Sequence, residues 1–321
     1  MTNAGTLTIL LLSICVRGAG QAPSQNPVTN PPAPSPPPSQ YVGSNVCQSC
    51  HPNVWANFYK NPHFKSVASG KELPERTGCE GCHGGGRGHV RAGGGKNTIP
   101  HAFSIMQPKQ VVETCLTCHA TDFGKVNIQR SEHTLNDVPC TSCHSIHNSH
   151  TAKFLLAKQQ HELCYTCHAN IRAQFDMPSK HRVNEGFMEC SDCHNPHGAF
   201  PPDWGMGQQP RMVEQALGNE QPCLNCHTDK RGPFVFEHPS VFVEGCATCH
   251  NPHGSTNAKL LRRPVVFTLC LECHNGGGTG TRHGGVDIQS ARHNLLDPKF
   301  QKCTTCHVRI HGSNADQFFL R

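Results

Sequence analysis

Apolar residues form one sustained run in this chain, TLTILLLSICV from Thr6 to Val16. The run is too short to span a bilayer and has the length of the apolar stretch of an export signal. Small residues follow at Gly18, Ala19, Gly20 and Ala22, so residues 1–22 are expected to be a cleaved leader, although MTNAG before the run lacks Lys or Arg. Cys15 reads either as a hydrophobe of that leader or as an acylation site; Ile14 fits the second poorly. The next stretch, QAPSQNPVTNPPAPSPPPSQ, is proline-rich enough to be an extended tether, which sets a linker over 23–40 and a domain over 41–321. Beyond Tyr41 the apolar positions are scattered. VVETCLTCH (Val111 to His119) and EQALGNEQPCLNCH (Glu214 to His227) are the candidate helices, both brief. GGGRGHVRAGGGK (Gly84 to Lys96) and NGGGTGTRHGG (Asn275 to Gly285) are predicted loops, and neither has the strand–helix context of a phosphate cradle. Nothing in the pattern predicts a sheet of consequence.

Composition sharpens the difficulty. Aromatic residues make up 6% and charged residues 16% of 321, with 30 Gly and 25 Pro, a balance that would ordinarily leave a chain without a packed core. The same chain holds 21 cysteines and 24 histidines. Something other than side chains must fill the interior.

The cysteines show what. C-x-x-C-H recurs ten times, with cysteines at Cys47/Cys50, Cys79/Cys82, Cys115/Cys118, Cys140/Cys143, Cys164/Cys167, Cys190/Cys193, Cys223/Cys226, Cys246/Cys249, Cys270/Cys273 and Cys303/Cys306. The histidines that close the motifs are His51, His83, His119, His144, His168, His194, His227, His250, His274 and His307. This is the attachment signature of c-type haem: two thiols add to the porphyrin vinyl groups and the adjacent histidine reaches the iron. Structural zinc would combine cysteines in fours, and disulfides would ignore the histidine. The expectation is therefore ten covalent haems c, whose macrocycles stand in for the missing aromatic core. First cysteines are spaced by 23 to 36 residues, room for one short helix or a loop between motifs.

Fourteen histidines remain, and their placement is regular. From Cys47 the chain reads as five copies of a dihaem unit: motif, middle histidine, motif, trailing histidine. The middle and trailing residues are His63 and His89, His133 and His147, His181 and His197, then His238 and His253. In the fifth unit the trailing residue is His311 and the middle one is His283 or His293, with His283 preferred because it lies nearer the usual spacing after its motif. Ten such residues would supply every iron with a second axial ligand. His101, His150, His161 and His293 are left as surface or propionate-contacting residues.

In CSDCHNPHG (Cys190 to Gly198) and CATCHNPHG (Cys246 to Gly254) the trailing histidine lies three residues past the proximal one. Three residues reach about 10 Å at full extension, about the least that two backbones on opposite faces of one iron require. His197 and His253 are therefore expected to serve neighbouring irons, so that one segment staples two haems, with Pro196 and Pro252 stiffening it and Gly198 and Gly254 turning the backbone away.

The formal charge of +6 would admit nucleic acid or an acidic surface as a partner. Two propionates per haem more than offset it, so the Lys and Arg surplus is assigned to carboxylate pairing and nucleic acid is excluded.

The two NPHG motifs, the intervening CHTDKRGPFVFEHPSVFVEGCATCH (Cys226 to His250) and the closing CTTCHVRIHGSN (Cys303 to Asn314) resemble the MtrA/DmsE/PioA family of exported decahaem c-type cytochromes. By motif order the resemblance covers nearly all of residues 44–321. It implies a mostly irregular, elongated multihaem cytochrome c with short α-helices, a near-linear series of haems, and the same distal histidines. It further implies a periplasmic protein at the outer membrane, sheathed in a β-barrel porin and exchanging electrons with periplasmic and extracellular cytochromes or other redox partners. Such chains serve extracellular respiration or inward electron uptake. The proline-rich tether and the long glycine-rich stretch after His274 depart from the family pattern.

With both axial positions filled, an iron exchanges electrons and binds no substrate, so the chain reads as an electron carrier rather than an enzyme. A multihaem oxyanion reductase would need an open iron. A soluble periplasmic shuttle without a barrel, or a filament subunit, would use the same ten haems.

Overall fold

The computed structural model of this chain describes residues 39–125, 127–151, 154–198, 222–274 and 293–321. The expected leader, Cys15, nearly all of the proline-rich linker, His283 and most of the Glu214–His227 segment lie outside the described residues. Residues Gln40–Arg321 group as one unit.

Among the described residues regular structure comes in helices of one or two turns, such as Pro52–Phe58 and Ala169–Phe175, apart from the longer helix Pro108–His119, which contains the third motif. It begins three residues before the stretch predicted from sequence, because Pro108 suits the first helical position and the Gln110 side chain accepts from the Gln107 N–H (3.1 Å). Among the described residues, sheet is limited to Ser179–Lys180 paired antiparallel with Gly254–Ser255. A five-residue π-helical turn, Ser240–Glu244, precedes the eighth motif. At the seventh motif the described part of the predicted helix is a 3-10 turn, Pro222–Asn225.

The predicted loop 84–96 carries a helix, Arg87–Arg91. Its glycines flank the helix, and its first turn is held from outside. The Glu80 carboxylate accepts from Gly86 N (2.7 Å) and the Gln40 carbonyl from Arg87 N (3.1 Å). Glu80 is buried and also accepts from Val42 N (2.9 Å) and Gly43 N (2.7 Å), so one carboxylate inside the second motif gathers the start of the unit and the start of this helix.

Buried apolar side chains are few and mostly isolated. Tyr165, Phe175 and Val183 form the described hydrophobic cluster, and Val111 and Val112 are buried on the Pro108–His119 helix. Two close approaches between units need glycine. Gly198 sits at φ +92, where a Cβ would meet Asn127 O at 3.0 Å; at Gly254 a Cβ would fall 1.9 Å from Gln174 O.

Candidate functional site: facing histidine pairs along the motif series

Each motif closes one helical turn. The proximal histidine N–H donates to the carbonyl of the first cysteine at 2.8–3.0 Å, for example His51 to Cys47 (2.9 Å), His144 to Cys140 (2.8 Å) and His250 to Cys246 (3.0 Å). Positions i, i+3 and i+4 of such a turn share a face, so the local fold turns both thiols and the imidazole to one side.

Opposite each proximal ring stands a second imidazole. His51 faces His89 with ring centroids 6.2 Å apart, His83 faces His147 (5.9 Å), His119 faces His63 (5.9 Å) and His144 faces His197 (6.1 Å). His168 faces His133 (6.3 Å), His194 faces His253 (5.9 Å) and His227 faces His181 (6.2 Å). His250 faces His311 (6.3 Å), His274 faces His238 (6.2 Å) and His307 faces His293 (6.1 Å). The ring opposite His307 is therefore His293, a residue the sequence reading left unassigned, while the preferred His283 lies outside the described residues. His101 instead bonds the second motif, its Nδ1 donating to Cys82 O (2.9 Å). His161 packs edge-on to Tyr165.

The pairing is interlaced. Trailing histidines of the second to fifth units reach back to the even-numbered motif of the unit before; middle histidines of the first to fourth units reach forward to the odd-numbered motif of the unit after. The ends close on themselves, His89 onto His51 in the first unit and His293 onto His307 in the fifth.

Burial holds several of these imidazoles neutral, as a metal ligand must be. It pushes His197 and His311 down to about 4 and lowers His63, His83, His147, His238 and His253. Ring orientation is fixed at Nδ1. His144, His250 and His307 donate to the carbonyls of Phe154 (2.6 Å), Lys259 (2.8 Å) and Phe318 (2.5 Å), each on a loop returning nine to eleven residues later. Left-handed backbone at Phe154 (φ 66), Lys259 (φ 57) and Phe319 (φ 61) turns these loops. His83 donates to His101 O (2.9 Å), and His119 to the Asp122 carboxylate (2.6 Å). Among distal rings, His63 is held by Asn61 (3.0 Å), His89 by Thr98 (2.9 Å) and His253 by Gln174 (3.2 Å).

The NPHG segments do more than space two histidines. Pro196 O accepts from His133 Nδ1 (3.1 Å) and Pro252 O from His181 Nδ1 (2.6 Å). In four residues His194 enters one pair, the Pro196 carbonyl orients the distal ring of a second, and His197 completes a third. His250, Pro252 and His253 repeat the arrangement.

The cysteines set the order of the series. First cysteines lie side by side within each unit, Cys47 beside Cys79, Cys115 beside Cys140, Cys164 beside Cys190, Cys223 beside Cys246 and Cys270 beside Cys303. Second cysteines lie near one another between units, Cys82 and Cys118, Cys143 and Cys167, Cys193 and Cys226, and Cys249 and Cys273. Each of these motifs thus lies next to its neighbours in sequence.

Cysteines that attach the groups filling the interior would be expected to lie inside, and five do not. Cys50, Cys118, Cys167, Cys226 and Cys306 are exposed, each the second thiol of its motif, while the other fifteen motif cysteines are half-buried. A thioether to a porphyrin needs that face open. A neighbouring hydroxyl reaches some of them, as Ser49 Oγ does Cys50 Sγ (3.9 Å).

The donor set fits an axially ligated haem. A metal–imidazole bond of about 2.0–2.1 Å on either side, with the ring centre just beyond the nitrogen, reproduces the observed centroid separations. Among the described residues no cluster of three or more His, Cys, Asp or Glu side chains converges on one point, as a zinc site would need, and the twenty motif cysteines are free thiols. These thiols stand where thioether sulfurs would be.

Repeated Cys-Cys-His turns, each aimed at a facing imidazole and set in little regular structure, define a multihaem c-type cytochrome with haem c as its cofactor. The doubled C-x-x-C-H family model matches residues 133–173 and 238–279, and the cytochrome c554 and c-prime model matches residues 95–145. The chain is 32% identical over 282 residues to the multihaem cytochrome MtrA of Shewanella baltica, an alignment covering 85% of this chain and 79% of that protein. It is 22% identical over 267 residues to the C-type polyhaem cytochrome OmcC of Geobacter sulfurreducens, spanning 83% of this chain and 26% of that longer protein. The chain belongs to the MtrA family of multihaem cytochromes.

Proposed function

We propose that the chain is an electron conduit of ten bis-histidine haems, carrying electrons across the outer membrane inside a β-barrel partner. The observation that carries this reading is the set of ten histidine pairs, 5.9–6.3 Å between ring centroids, strung in motif order. Haem c held in such a pair supplies a one-electron couple at the low end of the haem range.

The chain's own residues do the rest. Proximal and distal imidazoles would fill both axial positions of a bound haem, which leaves no site for an oxyanion or peroxide and argues for a carrier rather than an enzyme. His293 serves as the tenth distal ligand in place of His283. The alternating first-cysteine and second-cysteine approaches would set the haems of neighbouring motifs side by side, the condition for fast transfer. Residues 1–22 would export the chain to the periplasm, and no helix among the described residues is long and apolar enough to cross a membrane, so a passage through the outer membrane requires a sheath. Periplasmic and extracellular cytochromes or other redox donors and acceptors would meet its two ends.

The test is mild detergent extraction of outer membranes and affinity capture of this protein, with the bound material identified and the captured chain weighed intact. A stoichiometric β-barrel protein and a mass of ten haems are expected. Recovery of the chain alone in the soluble periplasmic fraction would sink the conduit and leave a shuttle.

A further inference from the structure

Most of the defined proximal rings lean on neutral main-chain carbonyls: His83 on His101, His144 on Phe154, His250 on Lys259 and His307 on Phe318. His119 differs. Its Nδ1 donates to Asp122 Oδ2 at 2.6 Å, and the same oxygen accepts from Lys125 Nζ at 2.6 Å. The helix Pro108–His119 ends at the ligand and the short turn Phe123–Lys125 follows, so Asp122 is delivered by local chain geometry.

A carboxylate behind a ligating histidine draws the Nδ1 proton toward itself and makes the imidazole a stronger donor. A stronger donor favours ferric over ferrous iron, which makes the haem harder to reduce. Lys125 opposes this by neutralising the carboxylate.

We propose that Asp122 makes the haem at His119 harder to reduce than one whose proximal ring leans on a main-chain carbonyl, and that Lys125 sets how far by opposing the carboxylate. Both are tuning residues acting through the ligands. The proposal rests on the bis-histidine reading above. Asp122 and Lys125 side chains are 41% and 33% exposed, so solvent screens their field at a distance. The effect therefore acts through the direct hydrogen bond to His119.

The test is an EPR-monitored redox titration of the intact holoprotein and of Asp122→Asn and Lys125→Met. Asparagine still accepts the Nδ1 hydrogen bond but carries no charge. One low-spin ferric component is expected to become easier to reduce by about tenfold in equilibrium constant, equivalent to ~59 mV for one electron, with its g-anisotropy widening as the ligand loses imidazolate character. In Lys125→Met the same component should move the opposite way, since the carboxylate is then unopposed. Unchanged titrations in both variants, or shifts of the same sign, would overturn the proposal. Its failure is separable from failure of the bis-histidine reading, which would show as high-spin iron in the unmodified protein. If Asp122→Asn does not mature, Lys125→Met alone decides by its sign.

Discussion

Glu80 gives the sharpest forecast, because its side chain links a buried charge to one ligand. Replacing it with alanine removes the acceptor for Gly86, Val42 and Gly43. The three donors do not suffer alike. Gly86 is buried and would be left unpaired, Val42 is half-buried, and Gly43 is exposed and can turn to water. An unsatisfied buried N–H costs about 1–3 kcal/mol, so the local loss comes to about 2–4 kcal/mol. It falls on the helix Arg87–Arg91, whose five residues cannot hold themselves helical without outside support. His89 sits on that helix and faces His51. Amide exchange across residues 86–91 should accelerate by roughly 30- to 1,000-fold, at about tenfold per 1.4 kcal/mol. The same variant should bind carbon monoxide at one haem after reduction, as His89 leaves its place. Exchange and carbon monoxide binding indistinguishable from those of Glu72→Ala, an exposed carboxylate on the same stretch, would refute the reasoning.

Three further outcomes follow from the described contacts. His293→Ala should open one haem of ten to carbon monoxide while His283→Ala opens none, and the reverse result would return the tenth ligand to His283. Gly254→Ala forces a Cβ to within 1.9 Å of Gln174 O; overpacking of this kind costs about 1–3 kcal/mol or more, so its Tm should fall well below that of Gly124→Ala, where a Cβ meets nothing. Lys259→Gly relieves a left-handed residue at φ 57 and should raise thermal stability by about 1 kcal/mol, with the absorption spectrum unchanged because the Lys259 carbonyl still holds His250.

The class of protein was legible in the sequence, since C-x-x-C-H puts its cysteines and histidine on one face of a single turn whatever surrounds it. The regular spacing of middle and trailing histidines likewise pointed to the rings now seen facing His51, His83, His119, His144, His168, His194, His227, His250 and His274. What spacing could not carry was which ring faces which. A middle histidine reaches forward into the next unit, so its distance from its own motif is set by a neighbour. In the fifth unit His293 turns back on His307 of the same unit, nineteen residues after His274. Resemblance of interval favoured His283, which lies outside the described residues. The prolines of NPHG were read as stiffeners, and their carbonyls as orienting groups were missed, because main-chain acceptors leave no mark on residue type. Asp122 did leave one, an acidic residue three positions after a proximal histidine, but it occurs once and had no repeat to flag it. The helix on Arg87–Arg91 was hidden by its flanking glycines, since what starts it is a carboxylate six residues earlier.

The self-closing ends have a consequence for how such chains can grow. In an interior unit two of its own histidines are lent to neighbours and two are borrowed back, so the account of ligands balances unit by unit. A first unit that keeps its trailing histidine and a last unit that keeps its middle one act as caps, as the end modules of a solenoid do. Any number of whole units could be inserted between them without stranding an iron or leaving an imidazole idle. Length is then a free variable of this architecture, adjustable in steps of two motifs.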